Sequence, residues 1–276
     1  MNTVITLAGK EFRDGLRNRW LLAITVLFAV LAIGLSYFGA AASGTVGFTG
    51  LATTIASLAS LAMFIMPLIA LLLAYDSIVG EDQQGTLLLL LSYPLGRGQL
   101  LTGKLLGHGA ILAVATTVGF GSAGLVITLF ADSVDLAALW SALAVFIATA
   151  LLLGLSFVAL AYLISVTVTE KATAAGLALL VWFGFVVLFD LVLLGVLVAG
   201  EGAIGTAVLP YLLLLNPADV FRLINLTGFD AARAASGLLS IADRTLLSPG
   251  LLITALVLWV LVPYGLAIWR FRRRPL

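Results

Sequence analysis

The chain has 276 residues, of which 62% are hydrophobic and 10% charged, with a mean hydropathy of +1.22 and a net charge of +1. A domain that stays in water needs more polar surface than this, so an ordinary soluble enzyme is excluded. Cysteine is absent, which excludes a disulfide frame, a thiolate metal site and a cysteine nucleophile.

In residues 1–19, Ile5, Ala8, Phe12 and Leu16 recur every three to four positions, with Lys10, Arg13, Asp14 and Arg17 on other faces. That pattern predicts an amphipathic helix lying in the membrane interface. An apolar run from Trp20 to Phe38 follows, then the small residues Gly39-Ala40-Ala41-Ala42-Ser43. The run exceeds the roughly 7–15 residues of a signal-peptide core, so it reads as a retained span rather than a cleaved leader.

Roughly 20 apolar residues in a helix cross a hydrocarbon core of about 30 Å. Six runs meet that length: 20–38, 51–75, 105–130, 136–164, 174–197 and 250–269. None alternates as barrel strands do, so the spans are predicted to be helices. In the second run Met63 and Met66 share a helix face. Thioethers suit Cu(I), but two methionines without cysteine make a poor ligand set, and packing is the better reading.

The segment 76–104, DSIVGEDQQGTLLLLLSYPLGRGQLLTGK, carries the most information. It opens with Asp76, Glu81 and Asp82, breaks at Gly85-Thr86, runs apolar from Leu87 to Leu91 and turns at Ser92-Tyr93-Pro94, ahead of Arg97. A short helix with acidic residues at its start suits the helix dipole. Its leucines would be costly in water, so they are predicted to dock on membrane, on a partner or on the bundle itself. Gly98 to Lys104 also fits G-x-x-x-x-G-K, but Leu105 stands where a phosphate-binding loop needs Ser or Thr and no strand precedes it. Nucleotide binding by this chain is therefore not expected.

The third run contains His108, the single histidine, near its start, and Gly119, Gly121, Ser122 and Gly124. The histidine reads as packed or interfacial, and the small residues as points of close helix approach. Asp190 is the one carboxylate inside a run, near its end. A lone carboxylate with no glutamate–histidine chain is a weak basis for a proton relay or an intramembrane enzyme.

Residues 198–249 form the longest segment outside the runs. Ala203 to Leu215 is too short to span and contains Pro210, so it reads as interfacial or re-entrant. Asn216-Pro217 signals a turn, Asp219 falls in the first turn of the next helix, and Phe221 and Arg222 follow. That helix either covers the mouth of the bundle or docks a partner. Ser248-Pro249-Gly250 then turns the chain into the last run.

With the N-terminus on the cytoplasmic side, eleven of the Lys and Arg residues fall inside, and only Arg222, Arg233 and Arg244 fall outside. This bias fixes both termini inside and matches an even number of spans. Because most cations sit beside spans, nucleic-acid binding is not expected.

The segment 76–104 resembles the coupling loop of ABC-2 transporter permeases. That family carries Glu-x-x-x-Gly-Thr-Leu, then Ser-x-Pro-x-x-Arg, then Gly-Lys. Here these are Glu81, Gly85-Thr86-Leu87, Ser92, Pro94, Arg97 and Gly103-Lys104. The six spans and the interfacial helix match the family layout, so the resemblance covers residues 1–276 as one transmembrane domain. It implies an all-α membrane protein with a cytoplasmic coupling helix and a re-entrant or interfacial outer segment.

The resemblance further implies a non-catalytic subunit in the bacterial inner membrane, working as a homodimer with two copies of a cytoplasmic ABC ATPase. ATP and magnesium would bind to that partner, with no cofactor in this chain. Glu81, Asp82, Gly85, Thr86, Leu87, Pro94 and Arg97 would serve ATPase coupling. The outer stretch and the opening KEFRDGLRNRW are similar to the branch serving maturation of nitrous-oxide reductase copper sites. That similarity implies a periplasmic solenoid protein meeting Asn216, Pro217, Asp219, Phe221 and Arg222. The alternatives are an ABC-2 exporter of a small or lipid-like molecule, and a secondary transporter or channel, which would need a polar lining in the spans.

Overall fold

The computed structural model describes residues 3–17, 19–38, 50–130, 135–199, 209–226 and 248–275. The small residues at 39–43, the segment 200–208, Arg233 and Arg244 lie outside them. All regular structure among the described residues is helical.

Helix α1 covers Thr3–Arg17 and α2 covers Trp20–Phe38. Between them Arg19 takes φ 54°, a left-handed turn, and the two helix axes differ by 66°. Helix α3 covers Leu51–Ala74, α4 Val79–Gln83 and α5 Thr86–Ser92. Helix α6 runs over Arg97–Phe130 and α7 over Leu136–Thr167. Helix α8, Lys171–Phe183, continues through a π-helical turn at Gly184–Leu188 into α9, Phe189–Ala199. Helices α10, Leu209–Leu213, and α11, Pro217–Leu226, precede α12, Pro249–Arg273.

Among the described residues five helical stretches are each long and apolar enough to cross a bilayer, and α2 makes a sixth only when taken together with α1. Helix α6 is longer than its apolar run, 105–130, predicted. Residues 97–104, read above as the end of a loop, form the first turns of α6. At about 1.5 Å per residue, its 34 residues far exceed a 30 Å core, so its N-terminal end projects from it.

Helix starts follow local chemistry. Asp135 Oδ1 accepts the Ala137 and Ala138 N–H groups at the start of α7. Ser248 Oγ accepts Leu251 N–H ahead of α12, with Pro249 in the first turn, where no N–H is missed.

Phenylalanines from four helices form the centre. Phe28 of α2 stacks on Phe120 of α6 at 4.8 Å, Phe120 meets Phe146 of α7 edge-on at 4.9 Å, and Phe146 lies 5.9 Å from Phe221 of α11. Such aromatic pairs add to plain apolar burial. Met63 and Met66 are buried in the same core, as packing predicts. Gly119 lets α2 approach closely, because a Cβ there would meet Phe28 Cβ at 2.5 Å. Gly124 does the same for α7, at 2.5 Å from Leu143, whereas a Cβ at Gly121 would meet open space.

Helix α1 departs from a simple interfacial helix. Leu7 is buried against α6, close enough that a Cβ on Gly103 would meet it at 2.6 Å, and Ala8 and Phe12 are half-buried. Ile5 and Leu16 remain exposed, so the stripe is shared between bundle and surroundings.

Candidate functional site

One end of the bundle gathers α1, α4, α5, the start of α6, the turn between α7 and α8, and the end of α12. We call it the basic end. Helix α4 begins on α7: Ser165 Oγ accepts N–H bonds from Ile78 and Val79, both at 3.0 Å. These donors have no partner inside a helix, so one hydroxyl from another helix fixes where α4 starts. Gly85 takes φ +70°, turning the chain from α4 into α5 in a conformation that favours glycine. Thr86 Oγ1 donates to Glu81 O at 3.1 Å and closes the turn.

The leucine run divides by face. Leu87 is fully buried in the core, Leu90 and Leu91 are half-buried, and Leu88 and Leu89 are 58% and 66% exposed. Tyr93 and Pro94 are exposed beside them. The segment both docks on its own bundle and offers an apolar pair outward.

Buried charge holds this unit in place. Lys104 Nζ lies 2.7 Å from Glu81 Oε1 and 3.0 Å from Glu11 Oε1, with only 4% of the lysine side chain exposed. Burial alone would raise the Glu11 carboxyl, but Lys104, His108 and Lys10 around it bring it below the ordinary value. Glu81 Oε2 has no hydrogen-bond partner among the described residues. His108 Nδ1 lies 2.8 Å from the Tyr162 hydroxyl and Nε2 3.9 Å from Glu11 Oε2, within the interior. No cluster of three His, Asp or Glu residues among the described residues is arranged to hold a metal.

Further pairs tie in the remaining elements. Asp82 Oδ2 accepts Arg274 Nη2 at 2.7 Å, and Asp76 Oδ2 accepts Lys171 Nζ at 2.6 Å. Arg97 Nη1 donates to the carbonyls of Phe271, Arg272 and Arg274 at the end of α12. The stretch Gly98 to Lys104 is continuous helix, and its lysine is held by two carboxylates.

Of the residues singled out at this end, Glu81, Asp82, Gly85, Thr86, Leu87 and Arg97 come together in one unit, and Pro94 sits at its exposed edge. Glu11, Ser165, Lys171 and Arg274 were missed. Glu11 had a signal: it stands four residues after Leu7, on the buried stripe of α1, as a carboxylate among cations.

The opposite end is organised by α11. Asn216 is its cap: Oδ1 accepts Ala218 N–H at 3.0 Å, and Pro217 takes the first helical position. The amide of Asn216 donates to Phe185 O and to Asp219 Oδ2. Phe185 lies in the π turn, where Phe189 N–H bonds to Gly184 rather than to Phe185. The side chain of Asn216 thus fills a position that the helix vacates. Arg222 pairs with Asp219 at 2.6 Å and with Asp190 at 3.4 Å. Burial pushes the Asp219 carboxyl up, against the pull of Arg222. Asn225 Nδ2 reaches Thr149 Oγ1 on α7, and Trp259 Nε1 of α12 donates to Leu214 O.

Asn216, Pro217, Asp219 and Phe221 are buried, and 14% of the Arg222 side chain is exposed. Their side chains bind the bundle together here and do not themselves form an open surface. The short helix α10 precedes them, within the stretch that contains Pro210.

The sequence pattern of the family described as ABC-2 family transporter protein matches residues 5–276. The chain is 58% identical over 276 residues, the full length of both, to a Pseudomonas aeruginosa protein named "Probable ABC transporter permease protein NosY". It is 57% identical over 274 residues, 99% of each chain, to a protein of the same name from Stutzerimonas stutzeri. With the family matched almost end to end, and with helices long and apolar enough to cross a bilayer several times, the chain belongs to the ABC-2 transporter family, as a multi-pass membrane permease.

Proposed function

We propose that this chain is the membrane-spanning subunit of an ATP-driven transporter and that a separate ABC ATPase docks at its basic end. The observation that carries this reading is full-length identity of 57–58% to two proteins named as ABC transporter permeases. The geometry of α4 and α5 supports it. Leu88, Leu89 and Tyr93 form an exposed apolar edge that a partner would cover, on a helix pair anchored by buried charge. Glu81, Asp82, Gly85, Thr86, Leu87, Pro94 and Arg97 hold and shape that pair. ATP and magnesium bind to the ATPase, and two copies of each subunit make the working unit.

On the positive-inside rule the basic end faces the cytoplasm, with both termini, in the bacterial inner membrane. The α11 end then faces the periplasm. There Asn216, Pro217, Asp219, Phe221 and Arg222 set the shape of the surface on which a periplasmic solenoid protein docks. The output is transport, or mechanical work on that protein, in maturation of nitrous-oxide reductase copper sites. That finer reading is favoured by the name shared by both relatives.

The test is purification from the native membrane with identification of co-purifying proteins, followed by ATP hydrolysis in nanodiscs. An ABC ATPase and a periplasmic solenoid protein recovered together support the full reading. An ATPase alone points to an ABC-2 exporter of a small or lipid-like molecule, and repeated recovery without an ATPase overturns the proposal. In the complex, Glu81→Gln and Gly85→Val are expected to abolish the hydrolysis that depends on this chain, while its elution as an intact membrane protein is retained.

A further inference from the structure

Helix α12 ends in Arg270, Arg272, Arg273 and Arg274. As a group these need be no more than an anchor at the membrane surface. The first three behave that way. All are exposed, and Arg273 lies over the ring of Trp269 at 4.3 Å.

Arg274 is different. Its side chain is only 10% exposed and turns back into the protein. Nη2 donates to Asp82 Oδ2 on α4 at 2.7 Å, and Nη1 reaches the carbonyls of Ser165 and Val166, in the last turn of α7, at 3.3 and 3.4 Å. Arg97, at the start of α6, makes the reciprocal contact. Its Nη1 donates to Phe271 O, Arg272 O and Arg274 O at 2.8, 3.1 and 2.7 Å, and its guanidinium lies 5.6 Å from the ring of buried Phe271. The final carbonyls of a helix have no partner within it, and a planar guanidinium can take several at once where an ammonium is a single point.

We propose that Arg97 and Arg274 form a strap fixing the C-terminal turn of α12 to the start of α6 and to α4, so that displacement of α4 is delivered directly to α12. The proposal rests on the ATPase-coupling reading above. Ser165 belongs to the same junction, because its hydroxyl holds the start of α4 while its carbonyl takes Arg274. One short stretch of α7 is therefore the fixed point about which α4 and α12 move as a pair. Arg274 and Arg97 are positioning residues: they act through α4 and touch no nucleotide.

The experiment uses the complex with the ATPase in nanodiscs and reads hydrogen–deuterium exchange of residues 249–258, the far end of α12, with and without ATP. The wild-type chain is expected to show an ATP-dependent change there. Arg274→Ala is expected to reduce that change about fivefold, while the ATPase stays bound. The chain has no native cysteine, so Asp82→Cys with Arg274→Cys supplies its only two thiols, and the ATPase is used in a cysteine-free form. Unlinked, this double variant should behave like Arg274→Ala. Bridged by a short bis-maleimide, it should regain the wild-type change, which a variant that had merely misfolded would not do. A full change in Arg274→Ala, or no recovery on bridging, overturns the strap and leaves the coupling reading standing. A wild-type chain that fails to bind the ATPase overturns both.

Discussion

Lys104 and Glu81, 23 positions apart in sequence, meet at 2.7 Å inside the basic end, and the lysine is shared with Glu11 of α1 at 3.0 Å. One buried cation thus joins α1, α4 and α6. Removing it leaves two carboxylates facing each other. Lys104→Met is expected to cost about 3 kcal/mol of stability. Glu81→Gln leaves the lysine paired with Glu11 and should cost only about 1 kcal/mol. Thermal unfolding in detergent, followed by tryptophan fluorescence, checks the order. A larger loss for Glu81→Gln would refute this account of the cluster.

The same cluster sets an acid limit. Glu11 is held below its ordinary value of 4.5. Its contribution to stability is therefore complete above that value and is lost as pH falls through the lower folded-state value. The wild-type melting temperature should decline as pH drops below about 4.5. In Glu11→Gln the decline should be shallower, from a lower starting point. Parallel curves for the two proteins would show that Glu11 does not titrate with folding.

Two glycines on α6 separate packing from propensity. Gly119→Leu forces side-chain atoms into Phe28 and should cost about 2 kcal/mol by overpacking. Gly121→Ala, which meets nothing within 4 Å, should leave stability equal or slightly raised through better helix propensity. Melting curves of both variants decide the matter, and equal losses would contradict the described contact between α2 and α6.

At the other end, Asn216→Ala removes the cap of α11 and the donor to Phe185 O together. A loss of about 2 kcal/mol is expected. Asn216→Asp keeps the cap oxygen but not the donor, and it adds a charge beside Asp219. It should be at least as damaging, and full tolerance of aspartate would show that the bond to Phe185 is unimportant. Hydrogen exchange in residues 184–190 should rise in both variants, because the π turn loses its outside partner.

Much of this arrangement was legible in the residues. Spans were visible because bilayer thickness imposes a length on apolar runs, and Asn216-Pro217 announced α11 through turn and capping chemistry that is local. The segment 76–104 stood out through Gly85 and the acidic residues before it. What stayed hidden depends on distance in sequence. Nothing near Ser165 indicates that its hydroxyl caps a helix starting 86 positions earlier. Arg274 looked like one of four anchoring arginines, and only tertiary contact separates it from its neighbours. The start of α6 was placed too late because apolarity, used as the marker for a helix, ends at the membrane surface whereas the helix does not. Phe221 and its neighbours were left between a cover for the bundle mouth and a docking face, because a helix between two membrane runs has no sequence signal for which side is covered.

The π turn at Gly184–Leu188 amounts to one extra residue threaded into an otherwise regular helix. Each residue of an α-helix advances the chain by about 100° around the axis. Deleting a single residue within 184–188 should therefore do more than shorten the helix. Every side chain beyond it would rotate by about that angle relative to α8. The carboxylate of Asp190 would swing away from Arg222, and Phe185 would recover an ordinary helical partner in place of Asn216. The insertion thus acts as a phase setting: it decides which meridian of the helix the α11 end receives.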